Sequence, residues 1–136
     1  FCADTVFSER VINKYKIPVV QDVGRHLDTL EKLRVMEHNL FVPAHTKPVE
    51  DIKELVTKNI STTHGILDDI KRILEEPKTT ERLMSKLCTD YELDLTIVQQ
   101  YYLIHMTIMA YLGYMYDEKQ IDIEMEDNLL RWKISP

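Results

Sequence analysis

The sequence predicts a helix-rich α+β chain in two parts, and three observations carry that reading. Apolar residues recur at steps of three and four through most of the length, which places them on one face of successive helices. The tail changes to strict alternation around a turn, the pattern of a hairpin. Between the two, Pro77-Lys78-Thr79 interrupts the helical spacing, so the parts are residues 1–76 and 77–136.

Phe1-Cys2-Ala3 is an apolar stub running into Asp4, with no initiator Met before it, and reads as the end of a buried strand whose earlier part has been removed. Val6 to Tyr15 is a mixed stretch. Pro18 within Lys16-Ile17-Pro18-Val19-Val20 suits an edge or a loop better than a central strand. Asp22 is placed to cap a helix that carries Val23, Leu27, Leu30 and Leu33 and ends near Glu37. Asn39-Leu40-Phe41-Val42 gives a short apolar strand that Pro43 stops, and Ala44-His45-Thr46-Lys47-Pro48 follows as a loop. With Pro48 in a first turn, Val49, Ile52, Val56, Ile60, Thr63, Leu67, Ile70 and Leu74 extend a stripe toward Pro77, as one long helix or as two broken near Gly65.

Thr79 or Thr80 caps the next helix, with Glu81 in its first turn and Leu83, Met84, Leu87, Cys88 and Tyr91 on one apolar face. Asp94 is placed to cap a further helix through Ile97, Tyr101, Ile104, Ile108 and Leu112, with Gly113 as a bend or stop. Ile121, Ile123 and Met125, then Leu130, Trp132 and Ile134, alternate around Glu126-Asp127-Asn128, whose residue types favour a tight turn. Helices followed by a hairpin read as a small winged-helix-like module.

Composition bounds the function classes. With 44% hydrophobic and 29% charged residues in 136, the chain has the balance of a folded globular protein. No apolar run reaches the roughly 20 residues that cross a bilayer, and the start lacks the pattern of a signal peptide, so a cytoplasmic, membrane-free protein is expected. Cys2 and Cys88 lie too far apart in sequence for a Cys-x-x-Cys motif and suit a reducing compartment. A net charge of −6 disfavours a phosphate-backbone partner, and Leu87 through Glu118 contains no Lys or Arg for a groove-reading helix to use. Nucleic acid is therefore not expected.

Two short motifs stand out. Phe1-Cys2-Ala3-Asp4-Thr5-Val6-Phe7 is an apolar strand end closing on a carboxylate, and Leu40-Phe41-Val42-Pro43-Ala44-His45 is an apolar run closing on Pro-x-His before a long helix. Their order resembles the C-terminal half of a metallo-β-lactamase-fold protein, over residues 1 to about 76. Residues 79 to 134 resemble the winged-helix-like appendage found on some members of that superfamily. The His-x-His-x-Asp-His motif of the family is absent, His26, His38, His64 and His105 lack its spacing, and Thr46 stands where Gly is common.

The resemblance implies a partial αββα half followed by the helical module, and an intact parent that is a zinc-dependent hydrolase. In such a parent two zinc ions generate the attacking water. Asp4 is then the carboxylate that bridges both metals, and His45 an imidazole ligand held by a Pro-flanked loop. Two ligands fall short of the three or four a stable zinc site needs, so the fragment is expected to hold zinc partially or not at all and to be inactive alone. No catalytic or other cofactor-binding residue is assigned.

Taken alone, Asp4 also fits a turn or cap, and His45 a surface histidine. Asp22 and His26, one helical turn apart, fit either a metal pair or an ordinary capped helix start. The Met and Tyr residues from Tyr101 to Tyr116 fit core and inter-domain packing better than a ligand groove. The expected partners are the missing N-terminal half of the same protein and a second copy. Exposed inner faces of the strands and of the Val23 to Leu33 helix are the ground for the homodimer. A non-catalytic interaction or dimerisation module is the competing function.

Overall fold

The computed structural model describes residues 5–37, 40–43 and 47–136. Among these it has five helices and one two-stranded antiparallel sheet, the helix-rich α+β architecture expected. The chain divides into two compact units, one of residues 1–18 and 23–65, the other of residues 19–22 and 66–136.

The first unit opens with α1 (Glu9–Tyr15), in the stretch the sequence left as mixed. Its signal is local rather than periodic. The Ser8 hydroxyl accepts the Val11 N–H at 3.3 Å, Glu9 lies in the first turn, and Lys16 at φ 60° ends the helix while its N–H reaches the Ile12 carbonyl. The helix is too short to display a stripe. Helix α2 (Val23–Val35) begins directly after Asp22, as expected, and buries Val23, Leu30 and Leu33. Its apolar face is thus covered by the chain itself, which removes that face as a reason to dimerise.

The short strand expected before Pro43 is not formed among the described residues. Phe41 instead makes an isolated antiparallel bridge with Val49, through Phe41 N–H to Val49 C=O at 2.8 Å and Val49 N–H to Phe41 C=O at 3.0 Å. That pairing commits Val49 to extended backbone, so the following helix cannot start at Pro48. Helix α3 (Lys53–Ile73) starts after Asp51, whose carboxylate accepts the Lys53 N–H at 2.8 Å. It runs through Gly65 as one helix. Its residues up to Gly65 belong to the first unit, where Val6, Leu30, Leu33, Phe41, Ile52 and Val56 form one buried cluster.

The second unit contains the remainder of α3, with Ile66, Leu67, Ile70 and Ile73 buried. Helix α4 (Thr80–Asp90) is capped by the Thr79 hydroxyl, which accepts the Arg82 N–H, and buries Leu83, Met84, Leu87 and Cys88. It ends with Glu92 in the left-handed region at φ 55°, while the Leu93 N–H reaches back to the Cys88 carbonyl at 2.8 Å, a closure that glycine usually serves.

Helix α5 (Val98–Asp117) starts later than the Asp94 cap predicts. Its N-cap is Ile97, which makes no side-chain cap. The helix runs on through Gly113. The same closure recurs at its end, with Lys119 at φ 57° and Gln120 N–H to Met115 C=O at 2.9 Å. Strands β1 (Ile121–Glu126) and β2 (Leu129–Ile134) pair from Ile121↔Ile134 to Glu126↔Leu129. Asp127 and Asn128 both have positive φ, as a two-residue type I′ turn requires, so the turn chemistry read from the sequence sets this register.

One face of the hairpin carries Ile121, Ile123, Met125, Leu130, Trp132 and Ile134; the other carries charges, including the pairs Lys133–Glu124 and Arg131–Glu126. On the outer edge of β2, Lys78 and Trp132 exchange two backbone hydrogen bonds. The indole N–H of Trp132 donates to the Thr80 hydroxyl at 3.0 Å.

Candidate metal centre

Asp4 and His45, the two metal ligands read from the sequence, lie outside the described residues, as do the Phe1-Cys2-Ala3 stub and His38. What the structure describes is the chain that follows Asp4 from residue 5 and the chain on either side of His45.

The segment that follows Asp4 is held by a single side chain. Asn59 on α3 is 2% exposed. Its amide oxygen accepts the Phe7 N–H at 2.9 Å, and its amide nitrogen donates to the Phe7 carbonyl at 2.8 Å and to the Leu55 carbonyl at 2.8 Å. One side-chain amide thus satisfies both backbone groups of Phe7, as a neighbouring strand would, and uses both of its own donor hydrogens. Val6, beside it, is 1% exposed and belongs to the buried cluster of the first unit. The ring of Phe7 lies 5.8 Å from that of His26, and burial pushes the His26 imidazole below its ordinary pKa.

The chain on either side of His45 is joined by the Phe41–Val49 bridge. Phe41 lies in the same buried cluster as Val6, and Val49 packs against that cluster. The flanks of both candidate ligands therefore share one core.

Among the described residues no group of three or more His, Cys, Asp or Glu side chains is placed to hold a metal ion. Asp22 and His26 do not add up to a site. His26 instead packs against Phe7. Cys88 is a buried free thiol whose pKa burial raises, the opposite of an activated nucleophile. In the second unit Arg72 donates to Asp69 and Asp90, Lys86 pairs with Asp90, and the Tyr91 hydroxyl donates to Asp69 at 2.8 Å. Burial and the Asp69 carboxylate hold that phenol protonated, so the cluster is a structural network tying α4 to the end of α3.

Asn59 is the residue the sequence reading missed. The stripe read from the sequence is buried at Ile52, Val56, Thr63, Leu67, Ile70 and Leu74, and Asn59 and Ile66 are buried beside it, whereas Ile60 is only half-buried. A polar pair at three-four spacing inside an apolar stripe is the available signal. Thr63 satisfies its hydroxyl on the Asn59 main-chain carbonyl at 3.0 Å, so both buried polar side chains of the stripe are hydrogen-bonded.

Comparison with solved structures gives a consistent fold. A crystal structure of a β-lactamase domain protein from Burkholderia ambifaria superposes at a TM-score of 0.74, with 14% identity, over 98% of this chain and 40% of that one. A metallo-β-lactamase family protein from Thermus thermophilus superposes at 0.69, with 15% identity, over 97% of this chain and 40% of that one. No family model and no curated protein matches the sequence. The chain has the metallo-β-lactamase fold over the part that it spans, about two-fifths of the length of those chains, in keeping with the C-terminal half read from its sequence.

Proposed function

We propose that this chain is the C-terminal part of a zinc-dependent hydrolase, in which Asp4 and His45 are two of the metal ligands and the remaining ligands come from a preceding segment. The observation that carries the reading is the superposition of nearly the whole chain on two-fifths of two metallo-β-lactamase-fold proteins. The donor chemistry fits: a carboxylate bridges two cations readily, and imidazole is a regular zinc ligand. Bound metal supplies Lewis-acid chemistry and lowers the pKa of water toward neutrality.

Two contacts of the described chain support this reading. Asn59 fixes the backbone three residues after Asp4, and the Phe41–Val49 bridge closes the loop that contains His45. In this reading the parts are residues 1–76 and 77–136. The helices of the second, its hairpin and the Lys78–Trp132 bridge on the hairpin edge support a winged-helix-like module. No helix among the described residues is long and apolar enough to cross a membrane, and a buried free Cys88 suits the reducing cytoplasm.

Metal analysis tests this. Purified alone, the 136-residue chain retains less than one equivalent of zinc after gel filtration and hydrolyses neither thioesters nor phosphodiesters. Extended by its preceding coding sequence, it retains up to two equivalents and gains zinc-dependent hydrolysis. An extended polypeptide that binds no metal overturns the proposal. A second reading, a non-catalytic interaction module, is favoured by the apolar outer face of α5. Nucleic-acid binding is not favoured, since α5 contains no Lys or Arg.

A further inference from the structure

Helix α5 breaks the ordinary rule for a surface helix. Its buried face is formed by residues such as Ile104, Ile108 and Met115, yet the opposite face carries no charge before Asp117. Val98, Tyr102, Met106, Met109, Gly113 and Tyr116 recur at steps of four, four, three, four and three, and each is exposed. A helix apolar all round belongs in an interior. At 20 residues α5 is roughly 30 Å long, so the stripe runs almost its whole length.

The stripe is also large. Tyr102 is 66% exposed and Val98 67%. Taking about 150–250 Å² per aromatic side chain, the stripe leaves on the order of 500 Å² of apolar surface, already at the upper range for a monomer. Tyr116 meets Trp132 edge to face at 6.4 Å, which joins the stripe to the apolar hairpin face where Met125 and Leu130 are exposed. Together they approach the roughly 800 Å² per partner of a stable interface.

We propose that this face is the contact of a homodimer in which α5 packs antiparallel against α5 of a second copy. The pattern is self-complementary about a two-fold axis at the level between Thr107 and Ile108. That axis sets Tyr102 of one copy against Gly113 of the other and Met106 against Met109, with Val98 falling next to Tyr116, one residue off register. The largest exposed ring thereby meets the one position where a side chain is missing. Gly113 lies mid-helix, where glycine is unfavourable, and a Cβ built there meets no atom within 4 Å. A hollow facing a ring under one symmetry operation is what an isologous contact requires. The absence of Lys, Arg, Asp and Glu along the stripe means that no like charges oppose each other across the axis.

Sedimentation equilibrium of the polypeptide extended by its preceding segment, alongside the 136-residue chain, between about 1 and 100 µM tests this, and an extended polypeptide that stays monomeric overturns it. A dimer is expected, and Met106→Lys and Gly113→Arg should each raise its Kd at least tenfold. Both sites are exposed, so far-UV circular dichroism should show the helix content unchanged. Register is read separately: the Met106→Cys, Met109→Cys double variant should form an intermolecular disulfide on mild oxidation, and neither single variant should do so comparably. A monomer at the highest concentration overturns the assignment, whether or not the chain then binds lipid vesicles. A dimer indifferent to both substitutions, or one that the double cysteine variant does not cross-link, overturns it equally.

Discussion

Replacing Asn59 with leucine isolates the device that holds the backbone after Asp4. The substitution keeps the branched heavy-atom shape and slightly raises helix propensity but removes the partner of both the Phe7 N–H and the Phe7 carbonyl. An unsatisfied buried backbone group costs about 1–3 kcal/mol. Phe7 is only partly buried, which puts each at the lower end, and the Leu55 carbonyl keeps its place in the helix ladder. Burying a leucine side chain returns part of the loss, at most about 1.5–3 kcal/mol in a site shaped for it. This site is shaped for an amide, so the return is partial and the net loss should be about 1 kcal/mol. At about 4 °C per kcal/mol for a domain of this size, Tm should fall by about 4 °C. Calorimetry should show this for Asn59→Leu, while Thr57→Ala, which loses only an exposed hydroxyl bonded within the same helix, should stay within about 0.5 kcal/mol of the parent. A Tm change below about 2 °C for Asn59→Leu would refute the view that this amide fixes the segment.

Three further outcomes follow from named groups. His26 is held below its ordinary pKa of 6.5 by burial, so the unfolded chain binds the proton more tightly; stability should be full above that ordinary value, fall as pH drops below it, and level off beneath the folded pKa. His26→Phe should flatten that slope in urea titrations between about pH 7.5 and 5. Glu92→Gly and Lys119→Gly each relieve a left-handed residue at a helix end and should raise stability by about 0.5–1 kcal/mol; a loss for either would contradict the assigned closures. Tyr91→Phe removes the hydrogen bond to Asp69 and should cost about 1–2 kcal/mol in denaturant unfolding, with little change in m.

Legibility followed the range of the interactions. Helix α2, the α4 cap at Thr79 and the hairpin turn at Asp127-Asn128 were plain in the sequence because their signals are local and agree with their packing. Helix α1 was missed for the converse reason: its capping signal is present at Ser8, but seven residues do not display a period. The start of α3 was misplaced because Pro48 permits a first turn, whereas a non-local pairing of Val49 with Phe41 forbids it. Asn59 was invisible for a related reason. Its polarity marks the stripe, but its partner lies 52 residues away. The strand end carrying Asp4 and the loop carrying His45 were legible only as short motifs, and both lie outside the described residues.

The apolar outer face of α5 shows a second kind of limit. Periodicity correctly marked Ile104, Ile108 and Leu112 as core, and they are buried. The same reading assigned the interleaved tyrosines and methionines to core and inter-domain packing together, because an uncharged helix offers no sequence contrast between an inner and an outer side. Only exposure separates the two.

The central claim is that Asp4 and His45 serve one shared metal site, and a double-mutant cycle on zinc affinity tests it most directly. In the polypeptide extended by its preceding segment, Asp4→Asn and His45→Gln should each weaken zinc binding strongly, and the double variant should be little worse than the poorer single one, a coupling of about 1 kcal/mol or more in the ~0.5–3 range of residues sharing one network. Two near-zero effects, or two effects that simply add, would contradict it.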